Sequence, residues 1–161
     1  MLDPAVIDAL NAYSLTFRVF ECDPDLADTA AFCEQYGFSL QQSANTIIVA
    51  SRKTDPIQYA ACVVLANSRL DVNKKVCELM QTKRASFADS KITKELTGMM
   101  IGGVTAIGIT DLPVYVDSHV LEQTEVIMGG GNRSTKVILP PHELTKLPNV
   151  QVVEGLAQFK T

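Results

Sequence analysis

The stretch Gln58-Tyr-Ala-Ala-Cys-Val-Val64, with Thr46-Ile-Ile-Val-Ala-Ser51 before it, sets the fold class of this chain. Both runs are short, apolar and rich in β-branched residues, which is typical of strands. The segment between them is polar and contains Asp55-Pro56, which favours a turn. The sequence therefore predicts two strands joined by a turn near the middle of the chain.

Helical and strand patterns alternate irregularly on both sides of this pair. Helices are predicted at Pro4–Asn11 with Asp3 as N-cap, from Asp28 to Tyr36 with Gly37 closing it, over Asp71–Met80, and from Asp89 to about Leu96. Further strands are predicted at Thr16–Cys22, Val114–Val116, Glu125–Met128, Thr135–Leu139 and Gln151–Val153, with a helical turn at Pro141. This order lacks regular β-α-β spacing, so it predicts a mixed α+β fold.

Length and composition narrow the class of protein further. The chain has 161 residues, 47% of them hydrophobic and 20% charged, which predicts one globular domain over residues 1–161 and excludes a disordered or fibrous chain. No apolar run approaches the roughly 18 residues that span a bilayer, and the start lacks a basic leader, so we expect a cytoplasmic protein without membrane contact. The four cysteines form no C-x-x-C pair and have no histidine at ligand spacing, which predicts free thiols and no metal.

The net charge of −4 is unevenly distributed. Residues 1–40 carry seven acids against Arg18 alone, whereas residues 69–94 carry seven cations against three acids. A basic segment in an acidic protein can form a polyanion-binding surface, but charge alone favours the simpler alternative of a pair of solvated helices. Charge by itself does not identify the partner.

Two glycine-rich segments are the other distinctive features, since the chain contains neither a G-x-S-x-G elbow nor a Walker A loop. The first is Gly102-Gly-Val-Thr-Ala-Ile-Gly108, whose backbone N–H groups could stabilise an oxyanion, although many Gly-Gly pairs are simple turns. The second is Gly129-Gly-Gly131, which lies between two predicted strands and so predicts a hairpin. Its bare backbone would also let a ligand approach closely.

Taken in order along the chain, several blocks resemble the YbaK/prolyl-tRNA synthetase-associated editing-domain family. The blocks are Asn45–Ala50, Arg69–Lys75, Leu96–Gly98, Gly102–Gly108, Leu112–Asp117 and Gly129–Lys136. Together with the residues between them they cover most of the chain from about Thr29 to Val153. The resemblance implies a curved, mixed, barrel-like β-sheet flanked by helices, with no metal and no organic cofactor.

The resemblance also implies a function, which is hydrolysis of the ester that joins a wrong amino acid to its tRNA. The commonest substrates in the family are Ala or Cys on prolyl-tRNA, and free-standing members act in trans, with at most a transient contact with a synthetase. An aminoacyl ester is already activated, so its hydrolysis needs a positioned water and charge stabilisation more than a covalent nucleophile.

Residue roles follow from the same resemblance. The catalytic set is Asn45, Gly102 and Gly103. The substrate-binding set is Thr46, Val104, Thr105, Asp117, Gly129, Gly130 and Gly131, and for Asp117 a capping carboxylate at a strand end remains an equal alternative. The set expected to contact tRNA phosphates is Lys74, Lys75, Lys83, Arg84, Arg133 and Lys136.

Two positions depart from the family pattern. Asn45 stands where many members have a lysine, and a neutral amide can hydrogen-bond but supplies no charge. Ala106 stands where the family loop often has a proline, whose ring would restrict the backbone. These departures leave two hypotheses, a trans-editing deacylase and a non-catalytic module that binds aminoacyl-tRNA or an amino acid.

Overall fold

The computed structural model describes residues 1–160, in which strands and helices interleave as the sequence predicts. The strands are β1 (Arg18–Glu21), β2 (Ala44–Arg52), β3 (Tyr59–Leu65), β4 (Ser68–Leu70), β5 (Arg84–Phe87), β6 (Val114–Asp117), β7 (Val126–Gly129), β8 (Thr135–Leu139), β9 (Val150–Val153) and β10 (Ala157–Phe159). The helices are α1 (Pro4–Ala12), α2 (Thr29–Tyr36), α3 (Cys77–Met80) and α4 (Ser90–Thr97). A π-helical segment, Val72–Val76, leads into α3, and 3-10 turns cover Pro24–Leu26, Leu40–Gln42, Ser118–Glu122 and Pro141–Lys146.

The strands form three sheets within residues 1–160. The largest has the order β5-β2-β3-β6-β9, in which β2 is antiparallel to β3 and to β5, whereas β6 is parallel to β3 and to β9. The second is antiparallel with the order β1-β8-β7, and the third pairs β4 with β10. The predicted α+β class with a mixed sheet is confirmed. The largest sheet is open rather than a closed barrel, because β5 and β9 form its edges.

The sheets and helices stack in layers, which explains the continuous apolar run of β3. Its residues Ala61, Val63 and Leu65 face the main core, which also holds residues of β7, β8 and α1. Its alternate residues, such as Cys62 and Val64, face a second core under α3, β4 and β10. A strand covered on both faces loses the apolar-polar alternation of a half-exposed strand. Helix α2 packs against the β1-β8-β7 sheet, where Phe32 and Cys33 contact Ile127 and Ile138.

Three short strands were not predicted, and one predicted helix begins differently. Strands β4, β5 and β10 have three or four residues, and β5 exposes Arg84 and Phe87. Such strands carry little periodicity of their own, so their pairing with β2 or with each other decides their conformation. The helix predicted from Asp71 begins as the π-helical segment, although Asp71 does cap it by accepting a hydrogen bond from the backbone N–H of Lys74.

Candidate functional site

The main candidate site is an open cavity of about 300 Å³ between the two larger sheets and the start of α2. It lies where the first residues of β2 meet the last residues of β7, next to the loop that carries Gly102. The lining residues are Asp28, Thr29, Phe32, Ser43, Ala44, Asn45, Thr46, Ile47, Ile101, Gly102, Val104, Ile127, Met128, Gly129 and Lys136. Asn45 and Gly102, which are far apart in sequence, therefore line one cavity.

The loop between Ile101 and Val104 presents two backbone N–H groups that have no hydrogen-bond partner among residues 1–160. They belong to Gly102 and Val104, which both line the cavity. Each peptide is fixed through its carbonyl, since Arg133 donates to the Ile101 oxygen at 2.9 Å and the Gly131 N–H donates to the Gly103 oxygen at 2.7 Å. A planar trans peptide points its N–H away from its C=O, so these contacts aim both N–H groups away from Arg133 and Gly131.

The intervening N–H, that of Gly103, is already paired. It donates to the carbonyl oxygen of Met100 at 2.9 Å, and Gly103 is not among the residues that line the cavity. The sequence predicted Gly102 and Gly103 as the pair of donors. The structure instead leaves the N–H groups of Gly102 and Val104 unpaired, because successive peptides in this loop alternate in direction.

Two glycines of this region are required for different reasons. Gly102 has φ +91, a conformation that other L-residues rarely adopt, and a Cβ there would lie 2.1 Å from the Arg133 side chain. Gly103 has no positive φ, but a Cβ there would lie 2.1 Å from the backbone oxygen of Asn132. The absence of side chains thus lets the two glycine segments pack backbone against backbone.

The start of β2 contributes two polar side chains to the cavity. The Thr29 hydroxyl donates to Oδ1 of Asn45 at 2.8 Å. This contact fixes the orientation of the amide and leaves its NH₂ group available as a hydrogen-bond donor. The Thr46 hydroxyl accepts a hydrogen bond from the backbone N–H of Ala106 at 3.0 Å. Strand β2 and the glycine loop are therefore joined directly beside the cavity.

Two cations approach the cavity from the segment after β7. Arg133 donates to Pro24 O at 2.9 Å, to Asp28 Oδ1 at 3.1 Å and to Ile101 O, so its guanidinium ties three segments together. Lys136 is only 6% exposed, and its ammonium donates to Ala27 O at 2.6 Å and to Gly102 O at 3.0 Å. Burial lowers the pKa of Lys136 from its usual value. Lys136 lies in the cavity and cannot act as a surface lysine.

Several other residues expected at the site lie outside the cavity lining. Thr105 is fully buried behind the loop, and Gly130 and Gly131 form the hairpin that packs on the N-terminal segment through Asp3 and Val6. Asp117 is fully buried at the end of β6, where it accepts from the Ala157 N–H at 3.3 Å and lies 3.1 Å from His119 Nδ1. This carboxylate joins β6 to the segment around β10, as a strand-end carboxylate would.

A family model of the aminoacyl-tRNA editing domain matches residues 23–147 of this sequence. The chain belongs to this family. The matched segment includes every residue that lines the cavity, and it confirms the resemblance inferred from the glycine blocks.

Solved structures share the fold of this chain. A proposed trans-editing enzyme for prolyl-tRNA synthetase is 26% identical with a TM-score of 0.79, and the match covers 96% of this chain and 98% of that one. A hypothetical protein is 24% identical with a TM-score of 0.84 over 96% and 99% of the two chains. The same fold occupies 31% of a proposed signal transduction protein from Marinobacter aquaeolei VT8, at 14% identity, 96% coverage of this chain and a TM-score of 0.65.

The remaining predicted cations of this editing domain lie on a different surface. Lys74 and Lys83 are exposed around α3, Lys75 is half-buried, and Arg84 is exposed at the first position of β5. Arg84 pairs with Arg52 at the end of β2 that is remote from Asn45. Seven residues of extended strand span about 23 Å, so Arg84 lies roughly that far along β2 from Asn45.

Two cavity residues, Phe32 of α2 and Asp28 at its N-cap, were not predicted to belong to the site. Asp28 was expected to cap α2, but it occupies the N-cap position without a capping hydrogen bond, because its carboxylate pairs with Arg133. A signal for Lys136 does exist. It shares a face of β8 with Ile138, and a lysine on a buried apolar strand face is unusual.

Within residues 1–160, no three or more His, Cys, Asp or Glu side chains are grouped so that they could hold a metal ion. Each helix within residues 1–160 is too short or too polar to span a lipid bilayer.

Proposed function

We propose that this editing domain hydrolyses the ester bond of mischarged aminoacyl-tRNA in trans, with Ala or Cys on prolyl-tRNA as the preferred substrates. One observation carries the proposal, namely the two unpaired N–H groups of Gly102 and Val104 at one cavity. Donors held in place before the reaction stabilise a developing oxyanion without reorganisation.

The reaction needs a water molecule and these donors. The water oxygen attacks the ester carbonyl carbon, and the π electrons of the carbonyl move to its oxygen, which the N–H groups of Gly102 and Val104 stabilise. When the tetrahedral intermediate collapses, the C=O bond reforms and the bond to the ribose oxygen breaks. The ribose oxygen gains the proton that the attacking water loses, so free amino acid and tRNA are released.

The cavity favours a small amino-acid side chain. Its volume of about 300 Å³ must hold the ester and part of the terminal ribose, and Phe32, Ile47 and Val104 narrow its apolar part. Exclusion by size separates small from larger side chains when the correct amino acid does not fit. Thr46 fixes the loop on one side, and Asn45 offers its NH₂ group to the bound aminoacyl end.

The basic surface formed by Lys74, Lys75, Lys83 and Arg84 is proposed to contact tRNA phosphates. Arg84 lies about 23 Å along β2 from Asn45, a distance that suits contacts with nucleotides that precede the aminoacylated end. We further propose that residues 1–161 act as one editing domain in the cytoplasm, with at most a transient contact with a synthetase.

A deacylation assay on a panel of mischarged tRNAs tests this function. The wild type should release amino acid fastest from Ala- or Cys-charged tRNA(Pro). Gly102→Ala should lower the single-turnover rate about 100-fold or more, since it removes a required backbone conformation and collides with Arg133. Gly155→Ala is the matched control, because Gly155 also has positive φ but has open space around its Cβ position.

Two results would contradict the proposal. Equal losses in the Gly102 and Gly155 variants would exclude a role of the loop donors. A wild type that binds the panel but hydrolyses none of it would instead support the binding module that Asn45 and Ala106 suggest.

A further inference from the structure

Lys136 lines the cavity, and the proposed reaction makes no use of its ammonium group. Its ammonium has three hydrogens, and two of them donate to the carbonyl oxygens of Ala27 and Gly102. The third has no acceptor among residues 1–160. The nitrogen lies 3.0 Å from an atom of Gly102, the residue that also carries one of the unpaired N–H groups.

No carboxylate within residues 1–160 forms an ion pair with Lys136, although the charge of Asp28 acts on it from nearby. The Asp28 carboxylate is itself paired with Arg133 at 3.1 Å. The ring of Phe32 lies 5.3 Å from the ammonium and offers it a weaker cation–π contact. A buried cation without a counter-ion is costly, and the cost falls when a negative charge forms beside it.

We propose that Lys136 is a catalytic residue whose third ammonium hydrogen donates to the oxyanion, next to the N–H groups of Gly102 and Val104. This inference rests on the deacylation proposed above. Lys136 brings a cation to the cavity from β8. Asn45, at the position where the resemblance predicts a lysine, lies on β2 in a different sheet.

The step is balanced without a net transfer of the Lys136 proton. The water oxygen bonds to the carbonyl carbon, and the electron pair of the C=O π bond becomes the charge on the carbonyl oxygen. Lys136 stays protonated and donates a hydrogen bond to that charge. On collapse the pair returns to the carbonyl, the ribose oxygen leaves, and it takes the proton lost by the water.

The groups that face Lys136 determine how this contact depends on pH. They are Asp28 before α2, Cys33 within α2, Cys22 after β1, and Arg133 before β8. Burial is the largest influence and lowers the pKa of Lys136. As the pH rises, the deacylation rate, corrected for uncatalysed hydrolysis, should therefore begin to fall at a lower pH than it would for a lysine with an ordinary pKa.

Two stable analogues of the substrate test the contact without requiring turnover. One joins alanine to the terminal ribose through an amide, and the other carries an anionic tetrahedral phosphonate in place of the ester carbonyl. Lys136→Met should weaken binding of the phosphonate analogue about 100-fold and that of the amide analogue less than threefold. Lys160→Met is the control, because the Lys160 ammonium also donates to a backbone carbonyl but is exposed and outside the cavity.

Lys136→Arg provides a second variant that keeps the charge and donors. It should retain the preference for the phosphonate, and its alkaline loss of rate should move to higher pH because arginine stays protonated. Equal weakening of both analogues by Lys136→Met would overturn the proposal, as would an alkaline loss unchanged in Lys136→Arg. An inactive wild type would refute the proposed deacylation, whereas the ratio of the two binding constants would still report on Lys136.

Discussion

The hydroxyl of Thr46 accepts a hydrogen bond from the backbone N–H of Ala106 at 3.0 Å. The family loop that this segment resembles often has a proline at this position, and a proline has no N–H to donate. In this chain the loop is therefore tied to β2 by a side chain instead of being stiffened by a ring. The hydrogen bond between Thr46 and Ala106 thus holds the loop in place although Ala106 lacks the ring of a proline.

Thr46→Val should destabilise the loop by about 0.5–1.5 kcal/mol, the usual contribution of a neutral hydrogen bond. In an Ala106→Pro background the same change should cost less, since the donor is already gone. Denaturant unfolding of the wild type, both single variants and the double variant measures this coupling. Strictly additive effects would show that the Thr46 contact contributes nothing to stability.

Arg133 is expected to position the Gly102 N–H by holding the carbonyl of Ile101. Arg133→Gln should lower the single-turnover deacylation rate about 10- to 100-fold, because a small displacement of an oxyanion donor weakens its contact with the transition state. Arg18→Gln is the matched control. Arg18 forms an exposed ion pair with Glu125, with 2.9 Å between the charged groups, and neither residue lines the cavity. Rates within twofold of each other for the two variants would contradict this role.

Asn45 should assist the reaction by hydrogen bonding alone. Asn45→Ala removes one neutral hydrogen bond to the substrate, worth about 0.5–1.5 kcal/mol, so the deacylation rate should fall about 2- to 13-fold. Asn11→Ala on the exposed side of α1 serves as the control. A loss of several hundredfold would instead mean that Asn45 has a larger part in the chemistry than its amide can supply.

The basic surface near α3 predicts a salt effect. Lys74→Ala or Lys83→Ala should each weaken binding of tRNA, and each lost phosphate contact should reduce the log–log salt slope by about 0.7–0.9. The slopes follow from titrations of labelled tRNA at several salt concentrations, with Lys160→Ala as the control. Unchanged slopes for both variants would identify the segment as a solvated surface without a role in binding.

Glu143 predicts how stability depends on pH. The backbone N–H of Thr16 and then the ammonium of Lys146 hold the pKa of Glu143 below its usual value. A lowered pKa in the folded state stabilises the protein at neutral pH, and this contribution is lost as the pH falls through the lowered pKa. Glu143→Gln should therefore have a lower Tm than the wild type at pH 7 and a smaller further decrease on acidification.

Thermal unfolding between neutral and acidic pH measures both differences, with the exposed Glu154→Gln as the control. Parallel pH profiles for the wild type and Glu143→Gln would show that the Thr16 and Lys146 contacts do not contribute to stability.

Local sequence patterns were sufficient for much of the fold. The apolar runs of β2 and β3, the Asp3 cap of α1 and the left-handed Gly37 after α2 all form where their residues predict. These features depend on neighbours within a few positions, which is the range over which strand propensity, capping and glycine conformation act. The glycine blocks likewise identified the family, because their order along the chain is itself a property of the sequence.

The chemistry of the cavity depended on contacts between distant segments. The Gly102 and Val104 N–H groups are left unpaired because Arg133 and Gly131, about 30 positions later, take the adjoining carbonyls. The direction of a peptide within a loop cannot be read from residue types. Sequence analysis therefore predicted the N–H of Gly103 as a donor, although this N–H is paired with the Met100 carbonyl. In the same way, only the packing of α2 on β8 decides that Lys136 lies inside the cavity, while Lys74 and Lys83 remain in solvent.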